Sequence, residues 1–467
     1  MNILSQVIKT FLSSIGDHLT LENPLDFGNR MEQVITSCFH MMLLILPVFL
    51  QEMDNTMAKD SKRKAEWEVV RKDKRELVTS FGVLQFERRY YRHKQTGEMA
   101  HLLDEHLGIA AHAKVNGDVR QKAIEGAEQG SYSKSAEAST KASLTPMSVC
   151  NYVKDLERFP ALKAEGEKRS VKNIYVEADE DHVGMQDGRN IQAKLIYIHE
   201  GTHQQGDRKK LINPRYLTWP QDKDPDSLWE KVSSYIEQQY EPDVVKNIFL
   251  SGDCASWIRT GEEWLYPCIP ILDRFHTMKA LRSLCGGQQG LIREFLHCMR
   301  KNDPAQASQL CKQILADLPG AQKKGKLKIA KYLLSNWPRI QNQRHPDAQG
   351  CSAEGHVSHI LSQRLSSRPC GWSEENMDRI AQLRIMRANG QLIRYEELKR
   401  CTVNQQAERP VSQAAVLVKT TGLRKTLAKN LKSVVHETCR NLPILNNGAT
   451  SPIYQALHGL SHVHVAC

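Results

Sequence analysis

Three acidic residues, far apart along the chain, have the types and settings that divalent-ion chemistry needs. Asp179 is expected to end the first strand, in Val176-Glu177-Ala178-Asp179-Glu180-Asp181-His182-Val183, and Asp253 the fourth, in Phe249-Leu250-Ser251-Gly252-Asp253. Glu354 opens a helical stretch in Cys351-Ser352-Ala353-Glu354-Gly355-His356-Val357. Carboxylates brought side by side repel one another unless a cation sits between them. Oxygen ligands of this hardness select Mg²⁺ or Mn²⁺ over softer metals. A third carboxylate completes a site for two ions, which can hold the attacking and leaving oxygens of a phosphodiester in line. A single aspartate at a strand end is more commonly a turn residue or a cap, and a glutamate in a first helical turn commonly just complements the macrodipole. The weight therefore rests on the ordered set. Alternation puts Glu177, Asp179 and Asp181 on one strand face, so spacing does not decide which of the three is the first ligand.

Other polar residues surround these positions. Asp273 and His276, at i and i+3 in Asp273-Arg274-Phe275-His276, share a helix face. A zinc site would need further partners, so a hydrogen-bonded pair near the acidic site is expected. His356 and His359 flank Glu354 without a matching ligand pair and read as polar or DNA-facing. His462 and His464 read as part of a loose tail.

The elements that must position the acids follow from apolar patterning. Ile174-Tyr175-Val176, Leu195-Ile196-Tyr197-Ile198 and Tyr216-Leu217-Thr218-Trp219 are short strand candidates. A helix from Asp226 to Gln239 follows, with Leu228, Trp229, Val232, Tyr235 and Ile236 on one stripe. Then come strand Ile248-Phe249-Leu250, a short helix, strand Ile269-Pro270-Ile271-Leu272 and another helix. Three strands followed by helix-strand-helix-strand is the order of an RNase H-like sheet, in which the first and fourth strands are neighbours. Asp179 and Asp253 are then expected side by side. Glu354, Val357 and Leu361 share a stripe of a helix capped by Ser352, which predicts that the glutamate projects from the side packed on the sheet.

The expected fold class is α/β: an RNase H-like mixed five-stranded sheet with flanking helices and a helical insertion, plus a mainly helical N-terminal region with a β-hairpin. The expected divisions are a helical segment over 1–70, a hairpin and helix-turn-helix-like region over 71–165, and a first core part over 171–280. A helical insertion over 281–345, a second core part carrying Glu354 over 346–400 and a basic tail over 401–467 follow. The hairpin is predicted from Glu76-Leu77-Val78-Thr79 and Val83 to Arg92 around Ser80-Phe81-Gly82. Within 117–158 three short helices are predicted. Asp118 caps the first, Ser131-Tyr132-Ser133 opens the second, and Thr145 caps the third with Pro146 in its first turn. Such a trihelical unit fits a helix-turn-helix as well as it fits plain packing. If it reads DNA, Asn151 and Lys154 are the natural contacts, with Arg88 and Arg92 of the hairpin and Arg364 and Arg368 of the Glu354 helix as further candidates. The segment Leu423 to Val435 has four Lys/Arg, for which a solvated basic face is the simplest account.

Bulk properties bound the partners. The 467 residues are 40% hydrophobic and 25% charged, ordinary for a folded protein, with a formal net charge of +11 that favours polyanions. The run Met41 to Leu50 contains Pro47, is shorter than the ~20 residues that cross a bilayer, and reads as a buried helix. No secretory signal is visible, and twelve cysteines show no CxxC pair, so reduced thiols in a cytoplasm are expected. Phosphate-binding loops, GxGxxG after a strand and GxSxG are missing, which excludes the common nucleotide-binding and α/β-hydrolase classes.

With the motifs on the page, the chain resembles the ISLre-type insertion-sequence transposases of bacteria. The resemblance is carried in order by RRYYRHKQTGE, LLDEHLG, SYSKSAE, VEADEDHV, FLSGDCASWI, ILDRFHTMKAL and CSAEGHVSHILSQRLSSRPCGWS. It implies a DDE-superfamily enzyme in which Asp179, Asp253 and Glu354 are the catalytic, metal-binding triad and Asp273 and His276 the accompanying Asp-x-x-His signature. It further implies two Mg²⁺ (or Mn²⁺) ions. The implied partners are double-stranded DNA, both terminal inverted repeats and target, and a homo-oligomer of at least two copies on DNA. Where that family often has Asp-Gly at the first aspartate, this chain has Asp179-Glu180.

Overall fold

The computed structural model describes residues 3–18, 27–206, 208–218, 224–316, 318–368 and 370–400. The tail expectations over 401–467, including Leu423–Val435, His462 and His464, lie outside these residues. The described chain forms two compact units, one drawn from residues 1–126 and 131–149, the other from 127–130 and 150–400.

In the first unit, β1 (Trp67–Thr79) and β2 (Gly82–His93) form an antiparallel hairpin, and β3 (Met99–Ala100) pairs with the end of β2. Thr79 faces Gly82 across a two-residue turn, and Gly82 takes φ +135°, which suits a residue without Cβ. The first strand starts at Trp67, inside the segment expected to be helical. Its charged run hides the strand, because only every second residue needs an apolar partner. A 33-residue helix, Phe27–Lys59, packs one stripe on the hairpin: Leu43, Leu46, Leu50, Met53 and Met57 meet a core of Trp67, Leu77, Leu84, Phe86 and Tyr91. The Met41–Leu50 run is thus half-buried rather than buried. The helix extends well past that run on both sides, and by length and composition alone it is apolar enough to cross a membrane.

Helices Gly117–Gln129, Tyr132–Ser139 and Pro146–Lys154 occupy the three predicted positions. The Thr145 Oγ1 accepts from Ser148 N at 3.1 Å, an N-terminal cap as expected. Asp118 instead sits inside the first turn and its carboxylate accepts from Ser80 N at 3.0 Å, tying the helix to the hairpin turn.

The second unit is built on a five-stranded sheet. Its strands are β4 (Asn173–Gly184), β5 (Asn190–His199), β8 (Arg215–Thr218), β9 (Asn247–Gly252) and β10 (Cys268–Leu272), and a small ribbon of β6 (Thr202–Gln205) and β7 (Arg208–Leu211) is interposed. The order across the sheet is β10-β9-β4-β5-β8. β4, β9 and β10 are parallel, while β5 is antiparallel to β4 and β8. One face carries Ile174, Val176, Ala178, Ile196, Ile198, Leu217, Ile248 and Leu250, packed against Leu228, Trp229, Val232 and Ile236 of helix Pro225–Gln239 and Trp257 and Ile258 of helix Ser256–Trp264. Each fully buried side chain of this kind contributes roughly 1.5–3 kcal/mol. Four further helices, Gln289–Lys301, Pro304–Ala316, Gly320–Ser335 and Trp337–Gln341, form a core of their own with helix Arg274–Leu284, and that core includes Cys254 and Leu272 next to the ends of β9 and β10.

Candidate active site

β4 and β9 run parallel in a constant register, from Asn173 opposite Asn247 to Glu177 opposite Ser251. The ladder ends there, and Asp253 follows directly after β9, beside the part of β4 that carries Asp179. Gly252 is required at this approach: a Cβ there would lie 2.6 Å from the Ala178 carbonyl oxygen and 2.9 Å from Ile258 Cδ1. Immediately beyond, Cys254 is held in the left-handed region at φ +62°, while the Asp253 carboxylate accepts from Ala255 N at 2.8 Å and its carbonyl accepts from the Tyr332 hydroxyl at 2.7 Å. A non-glycine residue in this conformation stores strain of a kind concentrated at functional sites.

The three acids of the β4 face have different fates. Glu177 is buried and fully engaged. It accepts from Ser352 N at 2.6 Å and from the Tyr197 hydroxyl, and lies 3.0 Å from His199 Nε2. Burial alone would raise its carboxyl; the His199 hydrogen bond and charge, with the Tyr197 and Ser352 donors, hold it below the ordinary glutamate value. Asp181 accepts from the Ser366 hydroxyl at 2.8 Å. Asp179, between them and inside β4 rather than at its end, has among the described residues the adjacent Glu180 N–H, at 2.9 Å. Burial first, then the negative charges of Glu354 and Asp253, push its pKa up to about 6 against the pull of that N–H and of His276. The alternative left open by alternation is thereby narrowed: Glu177 and Asp181 fasten the segment 352–366 to the strand at its two ends, and Asp179 is the acid left facing other acids.

Glu354 lies in helix Ala353–Val357, which passes into a π-helical turn, Ser358–Ser362, and ends in Gln363–Leu365. Such π-turns frequently mark functional sites. The buried stripe is Ala353, Val357, Leu361 and Leu365, and Glu354 is exposed at its edge rather than packed on the sheet as the stripe predicted. The Ser352 side chain does not cap this helix. Its hydroxyl meets Tyr197 OH at 2.9 Å instead. Glu180, on the other strand face, accepts from the Trp257 indole at 2.6 Å.

Asp273 caps helix Arg274–Leu284, accepting from His276 N at 2.8 Å, and its second oxygen lies 2.5 Å from His276 Nδ1. Burial opposes the imidazolium, but the Asp273 hydrogen bond and the charges of Asp273, Asp179 and Asp253 raise its pKa above the ordinary histidine value. The expected hydrogen-bonded pair is present beside the acids.

All three side chains are carboxylates, and the charges of Glu354 and Asp253 raise the pKa of Asp179. Among the described residues no three His, Cys, Asp or Glu side chains are drawn tightly enough together to hold an ion as they stand. Glu354 is exposed, Asp179 buried and Asp253 half-buried.

Several DNA-contact expectations change. Arg88 is 6% exposed and pairs with Asp104 at 3.0 Å, so it is a core ion pair. Arg364 donates to the Ala127 carbonyl at 2.8 Å and stacks 4.6 Å from the Trp372 ring, and Arg368 lies beyond the helix end rather than one turn along it. Arg92 is exposed and paired with Glu68; Asn151, Lys154 and Arg368 are exposed. His356 is half-buried, 4.6 Å from the Tyr197 ring and 3.1 Å from the Tyr216 hydroxyl, which removes it from a DNA-facing role; His359 is exposed. Sequence reasoning missed Glu177 as an anchor and Tyr332 as the hydroxyl on Asp253. The first was hidden because its donors come from residues 20 to 175 positions away.

Comparison with known proteins agrees over most of the chain. The model of an uncharacterised protein family, UPF0236, matches residues 20–401. A Caldanaerobacter subterraneus subsp. tengcongensis protein, UPF0236 protein TTE2489, is 32% identical over 423 residues, 90% of this chain and 89% of its own length. A second relative from that organism, whose name joins eleven locus designations beginning with TTE0033, is 32% identical over 423 residues, 90% of this chain and 88% of its own length. The "UPF0236 protein in vanSb 3'region" of Streptococcus gallolyticus is 25% identical over 379 residues, 75% of this chain and 82% of its own length. On a match running from residue 20 to 401 and relatives alike along nine-tenths of its length, the chain belongs to the UPF0236 family.

Proposed function

We propose that this chain is a DDE-type DNA transposase that cleaves DNA at the ends of a mobile element and joins the freed 3′-OH to target DNA. The observation that carries the reading is the parallel β4–β9 pairing, which runs to Glu177 and Ser251 and so brings together the strand parts that lead to Asp179 and Asp253, with the Glu177–Ser352 anchor that brings the Glu354 segment to the same strand. The strand order, three antiparallel strands followed by two parallel to the first, fits an RNase H-like core. A relative named by eleven loci of one organism is a multicopy gene, as replication of a mobile element produces.

In this reading Asp179, Asp253 and Glu354 hold the divalent ions, Mg²⁺ or Mn²⁺. Bound there, such ions supply activation of water, and later of a 3′-OH, and neutralise charge on the phosphodiester. Glu177 positions the Glu354 segment. The Asp273–His276 pair keeps a cationic group beside the scissile phosphate. Exposed Arg92, Asn151, Lys154 and Arg368 contact DNA phosphates, and two copies act on paired element ends. Binding energy from phosphates sets register and leaves sequence choice to base contacts.

The test uses the full chain and DNA carrying the flanks of its own gene, in Mg²⁺ or Mn²⁺. Nicking that leaves a 3′-OH, followed by joining of a pre-cut end to a second duplex, is expected. Cleavage without joining identifies a nuclease of the same fold, and binding without either reaction identifies a silent DNA-binding descendant.

A further inference from the structure

Helix Gly320–Ser335, in the group of helices between β10 and the Glu354 segment, has the sequence GAQKKGKLKIAKYLLS and no acidic residue. Its buried positions Ala330 and Leu333 point into the helical core that also contains Cys254. By helical geometry Lys324, Lys328 and Lys331, at i, i+4 and i+7, form a stripe on the opposite side. All three are exposed, as is neighbouring Lys323, and among the described residues none of the four has a carboxylate partner within ion-pair distance. An unpaired row of like charges on one helix face costs stability by mutual repulsion, so it needs a solvent or a ligand that supplies counter-charge.

Position distinguishes this stripe from an ordinary solvated face. Tyr332, the residue after Lys331, donates its hydroxyl to the Asp253 carbonyl at 2.7 Å. The lysine helix is therefore fixed to the end of the strand bearing one of the acids. At 1.5 Å per residue, Lys331 lies level with that contact, Lys328 about 6 Å along the axis and Lys324 about 12 Å along it. The stripe spans about 10 Å, the rise of about three base pairs of duplex.

We propose that Lys324, Lys328 and Lys331 form a track for the DNA phosphate backbone, holding the duplex that enters the acidic site. This rests on the transposase reading only for the identity of the polyanion. DNA is favoured over a membrane surface because the stripe carries one exposed apolar neighbour, Leu327, rather than an apolar face, and because it ends at a cluster suited to phosphodiesters.

The experiment measures binding of the full-length protein to a fluorescent duplex by anisotropy from 50 to 300 mM salt. It compares the wild type, K324Q/K328Q/K331Q, K324R/K328R/K331R and Asp253→Asn. The glutamine variant is expected to lose at least tenfold in affinity near 100 mM salt, and the slope of log K against log salt should shrink by about 2–3, with ~0.9 per lost phosphate contact. The arginine variant keeps the wild-type slope. Asp253→Asn keeps the slope while losing cleavage, so the track and the chemistry fail separately. An unchanged slope in a folded glutamine variant, judged by its Tm, overturns the proposal, as does loss of binding to phosphatidylserine vesicles with DNA binding intact.

Discussion

The two faces of the five-stranded sheet are built from the same strands and do opposite things. On one face, Ile174, Val176, Ala178, Ile196 and Ile198 alternate into an aliphatic layer sealed by two helices, where the one acid of the β4 run, Glu180, accepts from the Trp257 indole at 2.6 Å. On the other, the intervening residues Tyr175, Glu177, Asp179, Tyr197 and His199 form a polar and aromatic layer. Tyr175 stacks on His199 and on Phe249, each at 5.2 Å, and Tyr197 lies 5.4 Å from Tyr216. The first face holds the fold. The second holds acids in place: Glu177 accepts several hydrogen bonds, Asp181 accepts from Ser366 through one oxygen, and Asp179 is left at a raised pKa. A period of two residues thus divides stability from chemistry along one strand.

The comparison is broken most severely from the aliphatic side. Trp229 is fully buried and donates its indole N–H to the Trp257 carbonyl at 2.6 Å. Trp229→Ala should lose ~3–5 kcal/mol in denaturant unfolding. A loss under 1 kcal/mol would mean that the helix Pro225–Gln239 does not support the sheet.

Glu177→Gln tests whether the polar face also anchors. It sets an amide NH₂ among donors and leaves buried groups unpaired, so about 1–3 kcal/mol should be lost. Proteolysis should then open the 352–366 segment before the rest of its unit. Uniform destabilisation without local opening would contradict the anchoring role.

Asp179→Asn sharpens the contrast by moving stability the other way. Its folded pKa of about 6 lies above the ordinary aspartate value, so its contribution is present at low pH and is lost as pH rises through about 6. In EDTA at pH 7.5 the asparagine variant should be the more stable, by up to about 3 kcal/mol, and the gap should close below pH 4. A variant no more stable than the wild type at pH 7.5 shows that Asp179 is not crowded by Glu354 and Asp253.

The smallest effect is expected outside the sheet. Lys154→Ala removes one exposed charge, and should leave Tm unchanged while lowering the salt slope of DNA binding by about 1. No change in slope removes Lys154 from the DNA surface.

Much of this contrast was legible in the sequence, for identifiable reasons. The five strand candidates lie in strands over their described residues, Trp219 being outside these, because β-branched and aromatic runs bounded by polar residues leave little else to form. Asp253 was placed by its position after the apolar run Ile248-Phe249-Leu250, whereas the need for Gly252 against the Ala178 carbonyl emerges only on folding. Other features were misread although a signal existed. Arg88 follows Leu84 and Phe86 at a spacing of two, which puts it on the buried side of β2. The start of β1 was hidden by its charges. The division of labour among Glu177, Asp179 and Asp181 was not legible, because it depends on Tyr197, Ser352 and Ser366, which meet β4 only after folding.

The central claim is that Asp179, Asp253 and Glu354 act as one site while the acids beside them serve the fold. Divalent-dependent cleavage of end-containing DNA by Asp253→Asn, compared with the wild type and Asp181→Asn, tests it most directly. The account predicts at least a hundredfold loss for Asp253→Asn with its Tm preserved, and cutting by Asp181→Asn near the wild-type rate. Undiminished cutting by Asp253→Asn would contradict it.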